Sequence, residues 1–142
     1  LLRDYLYERD TSNRYRAFEG PLPGSDDRTW GLEVYSSLIR AINQIKISPV
    51  TLRSLHALYE HKRLMTMRVN YLYSNKFIES SSKLIGFFEQ IENESLLIRN
   101  LFIKYSLNDN FERANLTARL TEVRNLEENC LSVLIDSFYK EL

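Results

Sequence analysis

The residues in this chain that could do chemistry are few and badly spaced for it. His56 and His61 are the only histidines, and five residues on a helix put them on different faces. Glu60 lies one turn from His56, but two side chains do not make a metal set and no cysteine joins them. Cys130 is the single cysteine, so no intramolecular disulfide framework exists, and its helical spacing puts it on an apolar face as a small buried thiol. Ser80, Ser81 and Ser82 lack the glycine-flanked elbow that exposes a nucleophile. Glu89, Glu92 and Glu94 cluster, and read as a solvated helix boundary favouring the start of the next helix. Asn93 and Asn115 open short N-x-S/T matches, a pattern that carries meaning only in a secreted chain. No glycine-rich phosphate loop follows a strand. The chain is not expected to be an enzyme, and no cofactor or metal is implied.

Composition supports a single helical domain. Of the 142 residues 44% are apolar, enough for a real core. Four glycines and three prolines are few, and they cluster between Gly20 and Gly31, leaving the rest nearly free of helix breakers. Nineteen basic and nineteen acidic residues cancel, so no global field draws the domain to nucleic acid or anionic lipid. Only Arg53, His61, Lys62, Arg63 and Arg68 suggest a local basic patch, and direct nucleic-acid binding ranks last among the functions considered. No run of about eighteen apolar residues is present, so no membrane span is expected. The chain begins without Met and reads as an excised domain, which leaves targeting signals out of view.

Periodicity places the elements. Leu1, Leu2, Tyr5 and Leu6 predict a short amphipathic helix or docking segment over Leu1–Glu8, and the polar run Asp10–Asn13 ends it or caps another helix. Pro21 to Asp27 is a loop, closed by Trp30, a packing residue or a ligand-facing aromatic. Ile39, Ile42 and Ile45 mark one helix face. Ser48-Pro49 then caps and opens the next helix. Leu52, Leu55, Leu58 and Tyr59 form one further stripe, and Leu64, Met67 and Leu72 another. Ser74 is expected to cap a helix carrying Phe77, Ile78, Leu84, Ile85 and Phe88, and Ser95 one carrying Leu97 to Tyr105. The last helix, from about Phe111 to Leu142, repeats Leu116, Leu120, Val123, Leu126, Cys130, Val133, Leu134 and Phe138. That stripe fits bundle packing, or a short coiled coil that would make the chain a homodimer. The expected fold is all-α, a compact bundle of at least five short-linked helices with a long C-terminal one. Residues 1–24 form an N-terminal segment and 25–142 the bundle. Ile42, Leu55, Leu64, Ile78, Leu84 and Phe88 are expected in the core.

The central stretch also carries a family resemblance. Its run I-x-A-I-x-x-I, then P-V-T, L-x-x-x-R and F-I-E-S-S resembles the integrase-binding domain of the PWWP chromatin readers related to lens-epithelium-derived growth factor. The matching residues are Ile39, Ala41, Ile42, Ile45, Val50, Thr51, Leu64, Arg68, Tyr71, Ile78, Glu79, Ser81, Leu84 and Phe88, and Leu32-Glu33-Val34 resembles the family's L-D-V turn. The likeness spans about 32–91, leaving 92–142 as an extension. It implies a chromatin-associated adaptor in the nucleus. Its interhelical loops would take disordered partner segments with acidic flanks and a Phe-x-Gly-like core. By position, one loop falls at Thr29–Val34 (Trp30, Leu32, Glu33, Val34) and the other at Val69–Ser74 (Tyr71, Leu72, Tyr73). Leu72 stands where the family has a basic residue, Tyr73 where it has an apolar one, and Trp30 where it has an acid, which implies a related but different client. Phe18-Glu19-Gly20 itself resembles the bound Phe-x-Gly core, so this segment reads either as a first helix running into a loop or as an occupant of the bundle's own site, native or joined. The competing reading is a structural or dimerising helical module with no peptide role.

Overall fold

The computed structural model describes residues 2–9, 29–44, 48–78, 82–108 and 111–139. These form five helices and, among the described residues, no strand: α1 Leu2–Leu6, α2 Glu33–Ile42, α3 Pro49–Ser74, α4 Ser82–Ser106 and α5 Arg113–Tyr139. The all-α bundle with a long last helix is therefore what the chain forms.

Four of the helices make an up-down-up-down bundle. Thr66 of α3 donates to the Phe88 carbonyl near one end of α4, while His56 meets Arg99 near the other, so α3 and α4 run antiparallel. Arg119 of α5 reaches Glu94 of α4, and Cys130 lies by Leu84, the antiparallel pattern again. Tyr35 and Ile42 of α2 meet Glu127 and Arg113 of α5 in reverse order as well. Each of α2 and α4 packs on both α3 and α5, which places α3 and α5 on a diagonal across the core. At 1.5 Å per residue α5 is about 40 Å long and α2 only about 15 Å. Beyond the N-terminus of α2 sits α1, where the Leu32 amide donates to the Tyr5 carbonyl at 3.3 Å. Gly31, with φ +58°, makes that approach possible: a Cβ there would lie 2.0 Å from the Tyr5 oxygen.

Local signals set some helix ends and mislead at others. The Ser48 side chain accepts from the Val50 amide, with Pro49 at the first helical position, as its sequence implies. The expectation of several short helices gives way to three of 25–27 residues. Nothing between Pro49 and Ser74 breaks the chain, so the two expected stripes share one helix. Ser74 ends α3 rather than capping α4, and Phe77 and Ile78 lie in the connection. Ser95 is not a cap either: it is buried inside α4 and donates to the Ile91 carbonyl at 2.8 Å. Glu89, Glu92 and Glu94 accordingly lie within α4, not at its end.

Ile42, Leu55, Ile78, Leu84 and Phe88 are buried as expected, whereas Leu64 is 47% exposed. The core face of α3 runs through Leu55, Leu58, Lys62, Met65 and Val69. Leu64 lies on the opposite side of the turn from it. The stripe of α5 is largely spent inside the bundle: Leu116, Leu120, Val123, Cys130 and Leu134 are buried, Leu126 and Phe138 pack against them, and Val133 is left exposed.

Candidate functional site

Two features stand out from an otherwise ordinary bundle, and both centre on α3. The first is its outward face. Leu64, Met67 and Tyr71 recur at spacings of three and four, so they share one side of the helix, and they are 47%, 60% and 62% exposed. That side should carry charge in a helix with one buried stripe. Here it is apolar over its C-terminal half, and the same side chains with Arg68 and Leu72 line a shallow groove of about 410 Å³.

The end of α3 adds a fourth apolar group. Phe77 N donates to the Leu72 carbonyl at 2.9 Å and Lys76 N to that of Tyr73 at 3.0 Å, a Schellman closure around a left-handed residue. Lys76 takes that position at φ +59°, a conformation that glycine or asparagine usually supplies. The closure turns Phe77 back beside Tyr71, with ring centroids 6.4 Å apart, and leaves it 53% exposed. Arg63 and Arg68, both exposed, flank the stripe on its two sides. An apolar row with basic edges is suited to an apolar anchor carrying acidic neighbours.

The second feature is a charged cluster across the diagonal of the core. Lys62 and Glu127 side chains are each 1% exposed and pair at 2.8 Å. Tyr35 donates to the other carboxylate oxygen of Glu127 at 2.6 Å. Lys62 Nζ also donates to the Tyr5 hydroxyl at 2.6 Å and lies 3.2 Å from His61 Nδ1. The Tyr5 ring stacks on His61 at 5.2 Å. Burial depresses the Lys62 ammonium below its usual range, and Glu127 pulls it back up. Burial, and then the charge of Glu127, push both tyrosine hydroxyls up. Burial and the neighbouring Lys62 push His61 down to about 4. Every polar atom at the centre is matched, so the cluster locks α1, α2, α3 and α5 together. The grooves beside Leu84 and Cys130, beside Leu64 and Tyr71, and beside Glu94 and Glu122 are lined by other residues.

His61 makes this lock pH-sensitive. Between pH 6.5 and about 4 the unfolded chain binds a proton that the folded chain refuses, so stability falls as pH falls through that window. The expected slope approaches about 1.4 kcal/mol per pH unit. Urea titrations at several pH values should give it, and His61→Asn should flatten it.

The sequence-predicted site residues are not gathered in two facing loops. Val69–Ser74 is the last part of α3, not a loop, with Tyr71 and Tyr73 exposed and Leu72 half-buried. Leu32 is 1% exposed and belongs to the core; Trp30, Glu33 and Val34 around it are half-buried. No hydrogen bond, ion pair or ring contact joins Trp30–Val34 to Tyr71–Tyr73 among the described residues. Phe18, Glu19 and Gly20 lie outside the described residues. The basic patch shrinks, since Lys62 is buried and paired. Asn93 and Asn115 sit within α4 and α5, and Asn115 donates its amide to the Tyr105 hydroxyl. His56 lies on the surface against Arg99, well apart in role from His61. Cys130 is buried, and burial followed by the charge of Glu127 raises its thiol to about 11, so it stays protonated.

Sequence reasoning does not join Lys62, Glu127, Tyr5 and Tyr35 into one site: it places Lys62 in a local basic patch and Tyr5 on an amphipathic helix, and it does not name Glu127 or Tyr35. A signal for Lys62 and Glu127 was present: each interrupts an apolar stripe at a stripe position, Lys62 between Leu58 and Met65 and Glu127 between Val123 and Cys130. Leu64 and Met67 were visible, but spacing alone assigns them to a core. Among the described residues no cluster of His, Cys, Asp or Glu is placed to hold a metal, and no helix is long and apolar enough to cross a membrane. Comparison with protein-family models, with curated proteins and with solved structures returns no match for this chain.

Proposed function

We propose that the chain is a protein-interaction module whose working surface is the outward face of α3. It takes a short disordered segment of a partner, anchored by an aromatic side chain between Leu64, Met67, Tyr71 and Phe77. Acidic residues flanking that anchor meet Arg63 and Arg68, which set register and speed encounter. The observation that carries this reading is the exposed apolar row on the side of α3 that points away from the core. Its resemblance to the integrase-binding domain favours the same class of ligand, a Phe-x-Gly-like motif with acidic flanks, and a nuclear adaptor that tethers such partners to chromatin. The binding face differs from the one that resemblance implies, since it lies along a helix rather than between loops.

Fluorescence anisotropy with a labelled acidic peptide bearing a Phe-x-Gly core tests the proposal. Tyr71→Ala is expected to weaken binding at least about tenfold, or about 1.4 kcal/mol. Its thermal midpoint should stay close to that of the wild type, because Tyr71 is exposed. Equal affinity of the two proteins, or no saturable binding to either, would remove the peptide-adaptor reading.

A further inference from the structure

The seat of α1 is a different surface from the outward face of α3, and it too has the build of a recognition site. A five-residue helix does not hold itself together in water. What orders α1 is its set of partners on the bundle. Tyr5 offers its hydroxyl to Lys62 and its ring to His61; Glu8 pairs with Arg124 at 3.3 Å; the Tyr5 carbonyl takes the Leu32 amide beside a glycine that leaves room for it. Leu2 and Leu6 pack on the core alongside. Nineteen residues, 10–28, separate this segment from Thr29, so α1 is joined to its seat through a long connection. The bundle side of the contact holds a cation deep in the seat (Lys62) and another at its edge (Arg124), and the docked segment brings a tyrosine from α1 and, three residues on, an acid from the left-handed turn that closes it (Glu8, φ +55°).

We infer that the α1 seat is a peptide-binding site for a short helical turn closed by a left-handed residue, of the pattern Tyr-x-x-Glu with apolar flanks. In this structure α1 fills it from within the chain, and a partner protein presenting the same pattern competes for it. The charge arrangement selects the partner: the tyrosine hydroxyl accepts from Lys62, the glutamate meets Arg124, and a basic residue at either place meets a like charge. Because the seated segment belongs to the same chain, its effective concentration is on the order of millimolar, and an outside ligand must exceed that competition.

The test uses the full chain and a fluorescent peptide of residues 1–10, with Tyr5→Ala in the chain to weaken the resident segment. The Tyr5→Ala chain is expected to keep the helical circular-dichroism signal and to bind the peptide at least tenfold more tightly than wild type does. Replacing Tyr5 by Ala or Glu8 by Lys in the peptide should weaken that binding at least tenfold. A folded Tyr5→Ala chain that binds no peptide overturns the inference, and so does one that fails to fold, since α1 would then be part of the core rather than a ligand. Hydrogen exchange of the wild type gives an independent reading. The amides of Tyr7, Glu8 and Arg9, all bonded within this segment, should exchange at least a hundredfold faster than those of the α3–α5 core. Exchange only by global unfolding contradicts the inference.

Discussion

Replacing Lys62 by methionine is expected to cost about 3–5 kcal/mol of stability, the usual result of leaving one member of a buried ion pair uncompensated. Glu127 would keep the Tyr35 hydroxyl but lose its cation, at a position with 1% side-chain exposure. Glu127→Gln should cost a similar amount for the opposite reason, because Lys62 then keeps only neutral partners, the Gln amide, Tyr5 and His61, and no counter-charge. The double variant Lys62→Met with Glu127→Leu removes both desolvation costs, and most of the lost stability should return. Urea denaturation of the four proteins measures this. Single losses below about 1 kcal/mol would mean that the pair is reached by water, in the range of surface salt bridges.

Leu84→Ala is the second large effect expected, about 2–5 kcal/mol from lost transfer energy and the space left behind. Leu84 is 5% exposed, at the start of α4, and faces Cys130 and Leu126 of α5 across a groove of about 340 Å³. Leu64→Ala is its control. The side chain has the same size and also stands on an apolar helical stripe, yet it faces solvent, so its truncation should change stability by no more than about 0.5 kcal/mol. Equal midpoint shifts for the two variants would place Leu64 in the core.

This contrast shows where sequence reading succeeds and where it stops. The helical class and the inward positions Ile42, Leu55 and Phe88 follow from a period that local geometry imposes. The start of α3 is legible because Ser48 and Pro49 act on their immediate neighbours. Its end is not, because Lys76 adopts a left-handed conformation with no glycine to announce it. Leu64 and Leu58 look alike in the sequence: a helix with apolar residues on two opposite sides does not declare which side is covered. The partners of α3 decide that, and they come from residues far along the chain. Lys62 and Glu127 are 65 positions apart, and each alone reads as a solvated charge. The candidate site was legible only in part. The resemblance implies both Tyr71 and Leu32 as ligand contacts, and the fold leaves Tyr71 exposed but buries Leu32, while spacing alone assigns Leu64 and Met67 inward.

That the outward face of α3 takes a partner peptide is the central claim, and methyl NMR tests it directly. In a chain labelled at methionine and leucine methyls, titration with the acidic Phe-x-Gly peptide should shift Met67 and Leu64 together, while Met65, on the buried side of the same helix, moves little. Arg68→Glu should weaken the same titration by removing one of the flanking charges. Saturable shifts that leave Met67 and Leu64 unmoved, or no shifts at millimolar peptide, would contradict the account.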